Sequence, residues 1–375
     1  MNRLQFFVRL GIVGGLWTLL NVYAGGHVIG LAGGTLSGLS LALAWGAVLV
    51  VAWLPLAAMI TARSSGGGHG ALTRALDWVA YSALGLMSLL IVFFAAADVL
   101  HLSSWGSGSG VGTTAATLAV LSGAVLVTLI GMVTARRPRV VRVAVPIADL
   151  PSDLAGFRIV QLSDLHIGPT IRRRFVDAVV DRANALRPDL VAVTGDVADG
   201  LVPELREHVA PLGRLRAPHG AFFVTGNHEY YWDVRGWRRE LERLGLEVLE
   251  NEHRLLVQGN GRVVLAGVND LSAASDPAAA VAGAPHSDVR VLLAHQPRSA
   301  FAAQVAGYDL QLSGHTHGGQ YFPFNLLVRL FQPFVAGLHR LERMWLYVSR
   351  GTGYWGPPLR LGAPAEITLL ELVPA

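Results

Sequence analysis

Two rhythms of hydrophobicity divide the chain near residue 138. Before that point, four long apolar stretches, at about 10–30, 39–60, 76–97 and 113–134, are separated by short polar or glycine-rich runs. Crossing a hydrocarbon layer of about 30 Å takes roughly 20 helical residues, so each stretch predicts a membrane span. Their frequent Gly, Ala and Ser allow close helix–helix approach. After "RRPR" the pattern changes to short β-rich runs alternating with Arg- and Glu-bearing helical stretches. This is the signature of a layered α/β architecture, with "VVRVAVPI" as its first strand. The chain therefore predicts a four-helix transmembrane region over 1–138 followed by an α/β domain over 139–375.

Charge follows the same division. Residues 1–138 carry six Arg and two acids, Asp77 and Asp98, so the whole net charge of +4 lies there and the second part is balanced. A basic chain ordinarily points to nucleic acid, but here the excess belongs to the membrane region. The α/β part lacks the basic stripe a nuclease would need, so no nucleic-acid partner is expected. Arg3 and Arg9 precede the first span, Arg63 and Arg74 lie between the second and third, and Arg136, Arg137 and Arg139 follow the fourth. Under the positive-inside rule both ends of the region, and hence the α/β domain, face the cytoplasm. A competing reading makes the first stretch a cleaved signal peptide and leaves three spans. Asp98 and His101 read as interfacial groups closing the third span, since a transport path needs ionisable groups nearer the membrane centre. The chain has no Cys, which excludes disulfides, thiolate metal sites and Cys nucleophiles.

Five runs in the second part share one grammar: a few apolar residues suited to a buried strand, followed at once by side chains that bind metals. They are "FRIVQLSDLH", "DLVAVTGD", "GAFFVTGNHE", "VRVLLAHQP" and "YDLQLSGHTH". Singly, a Ser-Asp is a helix cap and a Gly-Asp or Gly-Asn is a turn. Repeated at five strand ends, where loops of α/β sheets converge into sites, they collect Asp164, His166, Asp196, Asn227, His228, His295, His315 and His317. Imidazole, carboxylate and amide oxygen suit divalent Mn, Fe, Zn or Co. More donors are present than one ion takes. Two ions sharing a carboxylate fit better, an arrangement suited to clamping a phosphoryl group. The spacing of His315 and His317 is that of alternate residues in an extended stretch, which point the same way.

The series DxH, GD, GNHE, a single His and GHTHGGQ resembles the calcineurin-like metallophosphoesterase superfamily. The closing "SRGTGYWGPPLRLGAPAEITLLEL" resembles its bacterial membrane-anchored branch. The resemblance covers about 139–375 and implies a β-sandwich flanked by helices. It implies one divalent ion on Asp164, His166, Asp196 and His317, and a second on Asp196, Asn227, His295 and His315, with Asp196 bridging. It further implies attack on phosphorus by a hydroxide between the ions, with His228 protonating the leaving oxygen or stabilising developing charge and Glu229 accepting the other ring proton of His228.

Several features stay open at this level. "IRRRF" (Ile171–Phe175) either offers Arg172 or Arg173 to a phosphate or forms a solvated helical turn. Tyr230 and Tyr231 either flank a substrate or simply pack. Tyr321–Trp345 is either an apolar cap for a lipid tail or bilayer or a core-packing excursion. His208, His219, His253, His286 and His339 read as surface or turn residues. The expected function is a membrane-anchored, dinuclear-metal phosphoesterase acting on a phosphodiester or pyrophosphate bond, preferably of a lipid-linked molecule. Hydrolysis of soluble nucleotides or phosphomonoesters is the alternative, and a non-catalytic metal- or phosphate-binding membrane sensor is a rival of another class.

Overall fold

A computed structural model describes residues 3–32, 35–64, 71–100 and 111–375. They divide into two compact units, 1–132 with Gly356–Leu359, and 133–355 with 360–375.

The first unit is built on four helices: α1 (Arg3–Gly30), α2 (Gly38–Ser64), α3 (Ala71–Val99) and α4 (Val111–Ala135). Each contains a window long and apolar enough to cross a membrane, as the hydropathy pattern predicts. Being apolar on every side, these helices need an apolar solvent around them and not one buried stripe. Ala24 of α1, Leu90 and Phe94 of α3 and Ala124 of α4 form a shared interior. In hydrocarbon a polar side chain finds its partner within the protein. Accordingly Trp17 of α1 donates its indole N–H to the carbonyl of Ala52 in α2 (2.7 Å), and Tyr23 of α1 donates to Asp98 at the end of α3 (2.5 Å). Nε2 of His27 lies 3.2 Å from the same Asp98 carboxylate. Asp98 is therefore a helix-to-helix tie at the span's end, and His101 lies outside the described residues.

The second unit runs β1 (Arg139–Ile147), β2 (Arg158–Leu162), α5 (Arg173–Ala185), β3 (Leu190–Thr194), α6 (Val202–Val209), β4 (Ala221–Val224), α7 (Asn227–Trp232), α8 (Val234–Arg243) and β5 (Leu246–Val248). It continues with β6 (Glu252–Gln258), β7 (Gly261–Gly267), α9 (Pro277–Val281), β8 (Val289–Leu293), α10 (Ala300–Val305) and β9 (Leu310–Ser313). Last come α11 (Phe324–Leu327), β10 (Gly337–Leu341), β11 (Met344–Val348) and β12 (Glu366–Pro374). Two six-stranded mixed sheets result, ordered β1-β12-β2-β3-β4-β5 and β10-β11-β9-β8-β7-β6.

The central strands are largely apolar because both their faces are buried. In β3, Leu190 and Ala192 point into the layer between the sheets with Val291 and Leu312, whereas Val191 and Val193 meet helix residues such as Val179 and Trp237. A third cluster packs α9 and α10 against the outer face of the second sheet. Fully burying one such side chain contributes about 1.5–3 kcal/mol. The result is a β-sandwich with helices outside both sheets.

β2, β3 and β4 are mutually parallel in one sheet, and β7, β8 and β9 in the other. Gln161, fully buried, brings strand ends of the two sheets into register by donating to Ser313 O and to Thr194 Oγ1, both at 2.9 Å. The carboxyl ends of five strands thereby open onto one place.

Candidate metal centre

Each sequence-identified donor follows one of those strand ends within a few residues: Asp164 and His166 after β2, Asp196 after β3, Asn227 and His228 after β4, His295 after β8, His315 and His317 after β9. The backbone there is unusual. Asp164, His166, Asp196, His315 and His317 all have positive φ, between 48° and 71°, a region few non-Gly residues enter. Such conformations persist only where the surroundings impose them, and they gather at functional sites. Here the imposing contacts are visible. The His166 amide donates to Asp196 O at 3.1 Å, and the His315 amide to Asp164 Oδ1 at 2.9 Å. Three glycines let the loops touch. A Cβ on Gly195 would come 2.7 Å from the Gly226 nitrogen, one on Gly226 2.2 Å from Asp196 Oδ1, and one on Gly314 1.9 Å from Ser163 Oγ.

The expected extended geometry of His315-Thr316-His317 is not what forms. Two left-handed residues enclose a right-handed Thr316, whose hydroxyl accepts from the Gly318 amide. The pair sits in a tight turn, and the two rings diverge for that reason.

The donors gather in three overlapping groups. Asp164, His166 and His317 form one and Asp196, His295 and His315 a second; His166, Asp196 and His228 form a third that overlaps both. Nε2 of His166 lies 3.0 Å from Nε2 of His317, which is 3.5 Å from Asp164 Oδ1. In the second group, Asn227 Oδ1 is 3.2 Å from His295 Nε2 and 3.0 Å from His315 Nδ1. Asp196 belongs between them: its Oδ2 is 3.2 Å from His295 Nε2 and 3.8 Å from His166 Nε2. Donors bound to one ion at about 2.0–2.2 Å stand about 3–3.6 Å apart, so these separations fit ion coordination. Charge fits as well. Asp164, Asp196 and Glu229 are all at most 2% exposed, and burying carboxylates without cationic compensation is costly.

Neighbouring groups aim the imidazoles. Nδ1–H of His295 donates to Thr194 O at 2.8 Å, leaving Nε2 toward the site. Asp199, absent from the sequence-level candidates, receives Nδ1 of both His166 (3.0 Å) and His228 (2.5 Å). Arg360, also unforeseen, is fully enclosed and donates to His317 Nδ1 at 3.0 Å as well as to the carbonyls of His317, Arg350 and Gly353. A carboxylate or carbonyl behind a ligating His is the usual way its ring is oriented, as at His166 and His295; at His317 the guanidinium donates to Nδ1 instead, so in the ion-free protein the ring proton lies on Nε2.

The expected partnership of Glu229 with His228 is therefore corrected. The Glu229 carboxylate accepts from the backbone amides of Asp196, Val197 and Gly226 at 2.7–3.0 Å. It locks the two loops that carry Asp196 and Asn227, and Asp199 does the orienting.

Electrostatics agree with this division. Burial would lower the pKa of His228, but the Asp199 hydrogen bond and the charges of Asp199, Asp196 and Glu229 push it up to about 9. Burial opposes ionisation of Asp199 too, yet His166 and His228 hold its carboxyl well below the usual range. Burial pushes Glu229 up to about 7, helped by Asp196. His295 reaches about 10 against its burial, through the Asp196 charge and hydrogen bond. His315 falls to about 4 through burial and the neighbouring His295.

The rim is aromatic. His228 has Tyr231 at 5.1 Å and Trp355 at 5.9 Å between ring centroids, and both aromatics are about half exposed. Tyr230 turns away, its hydroxyl 3.2 Å from Thr225 Oγ1. Arg173 lies along α5 and pairs with Asp177, and Arg172 is engaged with Pro169 O. His219, His253 and His339 hydrogen-bond to Gln258, Ala280 O and Ala336 O, outside the donor groups.

Comparison with known proteins accords with this geometry. Residues 157–319 match the family model for the calcineurin-like phosphoesterase domain. A Bos taurus protein described as a transmembrane protein with metallophosphoesterase domain is 40% identical over 325 residues, covering 78% of this chain and 73% of the relative. A Danio rerio protein of the same description is 41% identical, over 68% of this chain and 62% of the relative. A Campylobacter jejuni protein described as an uncharacterized metallophosphoesterase is 38% identical, over 63% and 64%. The chain thus spans less than two thirds of the latter two. The five strand-end motifs, their meeting at one buried cluster of donors and these similarities place the chain in the calcineurin-like phosphoesterase family, as a membrane protein with a metal-dependent phosphoester hydrolase domain.

Proposed function

We propose that the chain holds two divalent ions and hydrolyses a phosphodiester or pyrophosphate bond of a lipid-linked molecule at the cytoplasmic face of the cell membrane. The observation that carries the dinuclear reading is the position of Asp196, one carboxylate oxygen of which lies 3.2 Å from Nε2 of His295 and 3.8 Å from Nε2 of His166 and so reaches donors on both sides. Asp164, His166 and His317 would hold one ion, and Asn227, His295 and His315 the other, with Asp196 common to both. Such a pair supplies Lewis-acid polarisation of a phosphoryl oxygen and a water of lowered pKa.

The remaining work falls to side chains of this chain. Asp199 keeps the His228 ring fixed through Nδ1 and keeps it protonated, so Nε2 presents a proton to the leaving oxygen. That Nε2 lies 3.9 Å from Asp196 Oδ2, at the edge of the donor cluster. Glu229 fixes the loops bearing Asp196 and Asn227. Tyr231 and Trp355 flank the approach to His228. The arginines at the span flanks support the cytoplasmic placement, and a membrane anchor confines the site to substrates at the bilayer.

The test uses full-length protein, stripped of metal and refilled with Mn, Fe, Zn or Co in turn. Phosphate release is followed on lipid-linked pyrophosphates, a model diester and cyclic nucleotides. Metal-dependent turnover favouring the lipid-linked compounds is expected. Preference for the soluble compounds defeats the lipid assignment, and metal binding without turnover on any of them leaves the non-catalytic sensor.

A further inference from the structure

The apolar stretch after the GHTHGG turn resolves into two parts. Its second part is core: Leu338 and Trp345 pack against the layer between the sheets, and Phe334 and Leu341 against the α9–α10 layer. Its first part is the opposite. Phe322, Phe324, Leu326 and Leu327 are 40–56% exposed, and Leu330 and Phe331 reach 75% and 71%. A run of large apolar side chains displayed together marks an interaction surface, where scattered single ones would not.

We propose that this surface, Phe322–Phe331 around helix α11, is seated in the interfacial layer of an anionic bilayer. Three observations select lipid as the occupant. Only residues 136–138 separate α4, a membrane-crossing helix, from β1, so the bilayer is held at high effective concentration beside this domain. No acidic residue occurs between Asp309 and Glu342, whereas Arg329 lies exposed within the run, beside Leu330 and Phe331. Apolar side chains around a cation are the combination that binds anionic lipid surfaces. Finally, the surface adjoins the rim of the site. Gln320, two residues before it, exchanges two 2.9 Å hydrogen bonds with the backbone of Trp355, the residue beside His228. Seating the segment in lipid would bring that rim to headgroup level.

The absence of cysteine makes the test direct. Leu330→Cys and Phe331→Cys are labelled with bimane in the full-length protein, in nanodiscs of phosphatidylcholine and phosphatidylglycerol. Quenching by lipids brominated along the acyl chain is then measured. An interfacial segment sits about 5–10 Å into the headgroup and acyl boundary, so loss of about half the emission at both positions is expected. Val305→Cys and Val257→Cys, exposed apolar positions on α10 and β6, should keep theirs. Equal quenching at all four positions, or none at Leu330 and Phe331, overturns the proposal. Replacing phosphatidylglycerol by phosphatidylcholine should reduce the quenching, and unchanged quenching removes the electrostatic part of the claim. The readout involves no substrate, so its failure is distinct from failure of the phosphoesterase reading.

Discussion

Replacing Asp199 by Asn tests how the site is organised, because one carboxylate orients two histidines of different expected roles. Its oxygens lie 3.0 Å from Nδ1 of His166 and 2.5 Å from Nδ1 of His228. Asparagine has the same shape but only one acceptor oxygen. One imidazole keeps only a neutral acceptor in place of a charged one, while the other faces an NH2 that cannot accept, so both are weakened. A charge-assisted hydrogen bond contributes about 1.5–3 kcal/mol, equivalent to about ten- to hundredfold in rate or affinity. Asp199→Asn should therefore lower turnover at saturating metal by about 10–100-fold through His228. It should also weaken metal binding by about tenfold or more through His166. Metal titration separates the second effect, and single-turnover rates at saturating metal report the first. In a His228→Ala background the same substitution should cost less than about threefold in turnover, since residues acting through one another are not additive. Equal losses in both backgrounds, or no loss in either, would refute the coupling of Asp199 to His228.

Further outcomes follow from the same geometry. His228→Ala should retain bound metal but reduce turnover by about 10² or more, as read by metal content beside rate. Gly226→Ala would place a methyl 2.2 Å from Asp196 Oδ1, so metal affinity should fall while circular dichroism still reports a folded domain. Trp237, fully buried and donating to Gly200 O at 2.9 Å, supports the loop that follows Asp199. Its replacement by Ala should cost about 3–5 kcal/mol, measurable by denaturant unfolding of the full-length protein. In the ion-free protein the pKa of His295 is about 10, so below that pH it is protonated and must lose a proton to ligate. Metal loading near neutral pH should therefore release protons, detectable by calorimetry in buffers of different ionisation enthalpy, and affinity should rise as pH increases toward 10. Affinity unaffected by pH over 6 to 9 would remove His295 from the ligand set.

What the sequence made legible was local. Four apolar stretches of span length and five apolar runs ending in donors are patterns within a few residues, and each became the expected helix or strand. What it hid depends on distance and backbone conformation. The last strand, β12, lies between β1 and β2 in the first sheet, a pairing no window of residues contains. Asp199 stands three residues after Asp196 in "GDVAD" and carried a readable signal, a second acid in the same strand-end loop. Arg360 carried none, since its contact with His317 spans 43 positions. Glu229 was found but given another task, because a Glu beside a His in sequence need not face its ring: the start of α7 turns it back onto three amides. The His315–His317 spacing invited an extended reading that a glycine-rich left-handed turn overrides.

The central claim is a pair of ions sharing Asp196, and anomalous diffraction from crystals of the full-length protein loaded with Mn or Zn tests it most directly. The account predicts two peaks about 3.5–4 Å apart, one beside Asp164, His166 and His317, the other beside Asn227, His295 and His315, with the Asp196 carboxylate between them. A single peak, or peaks away from these residues, would contradict it.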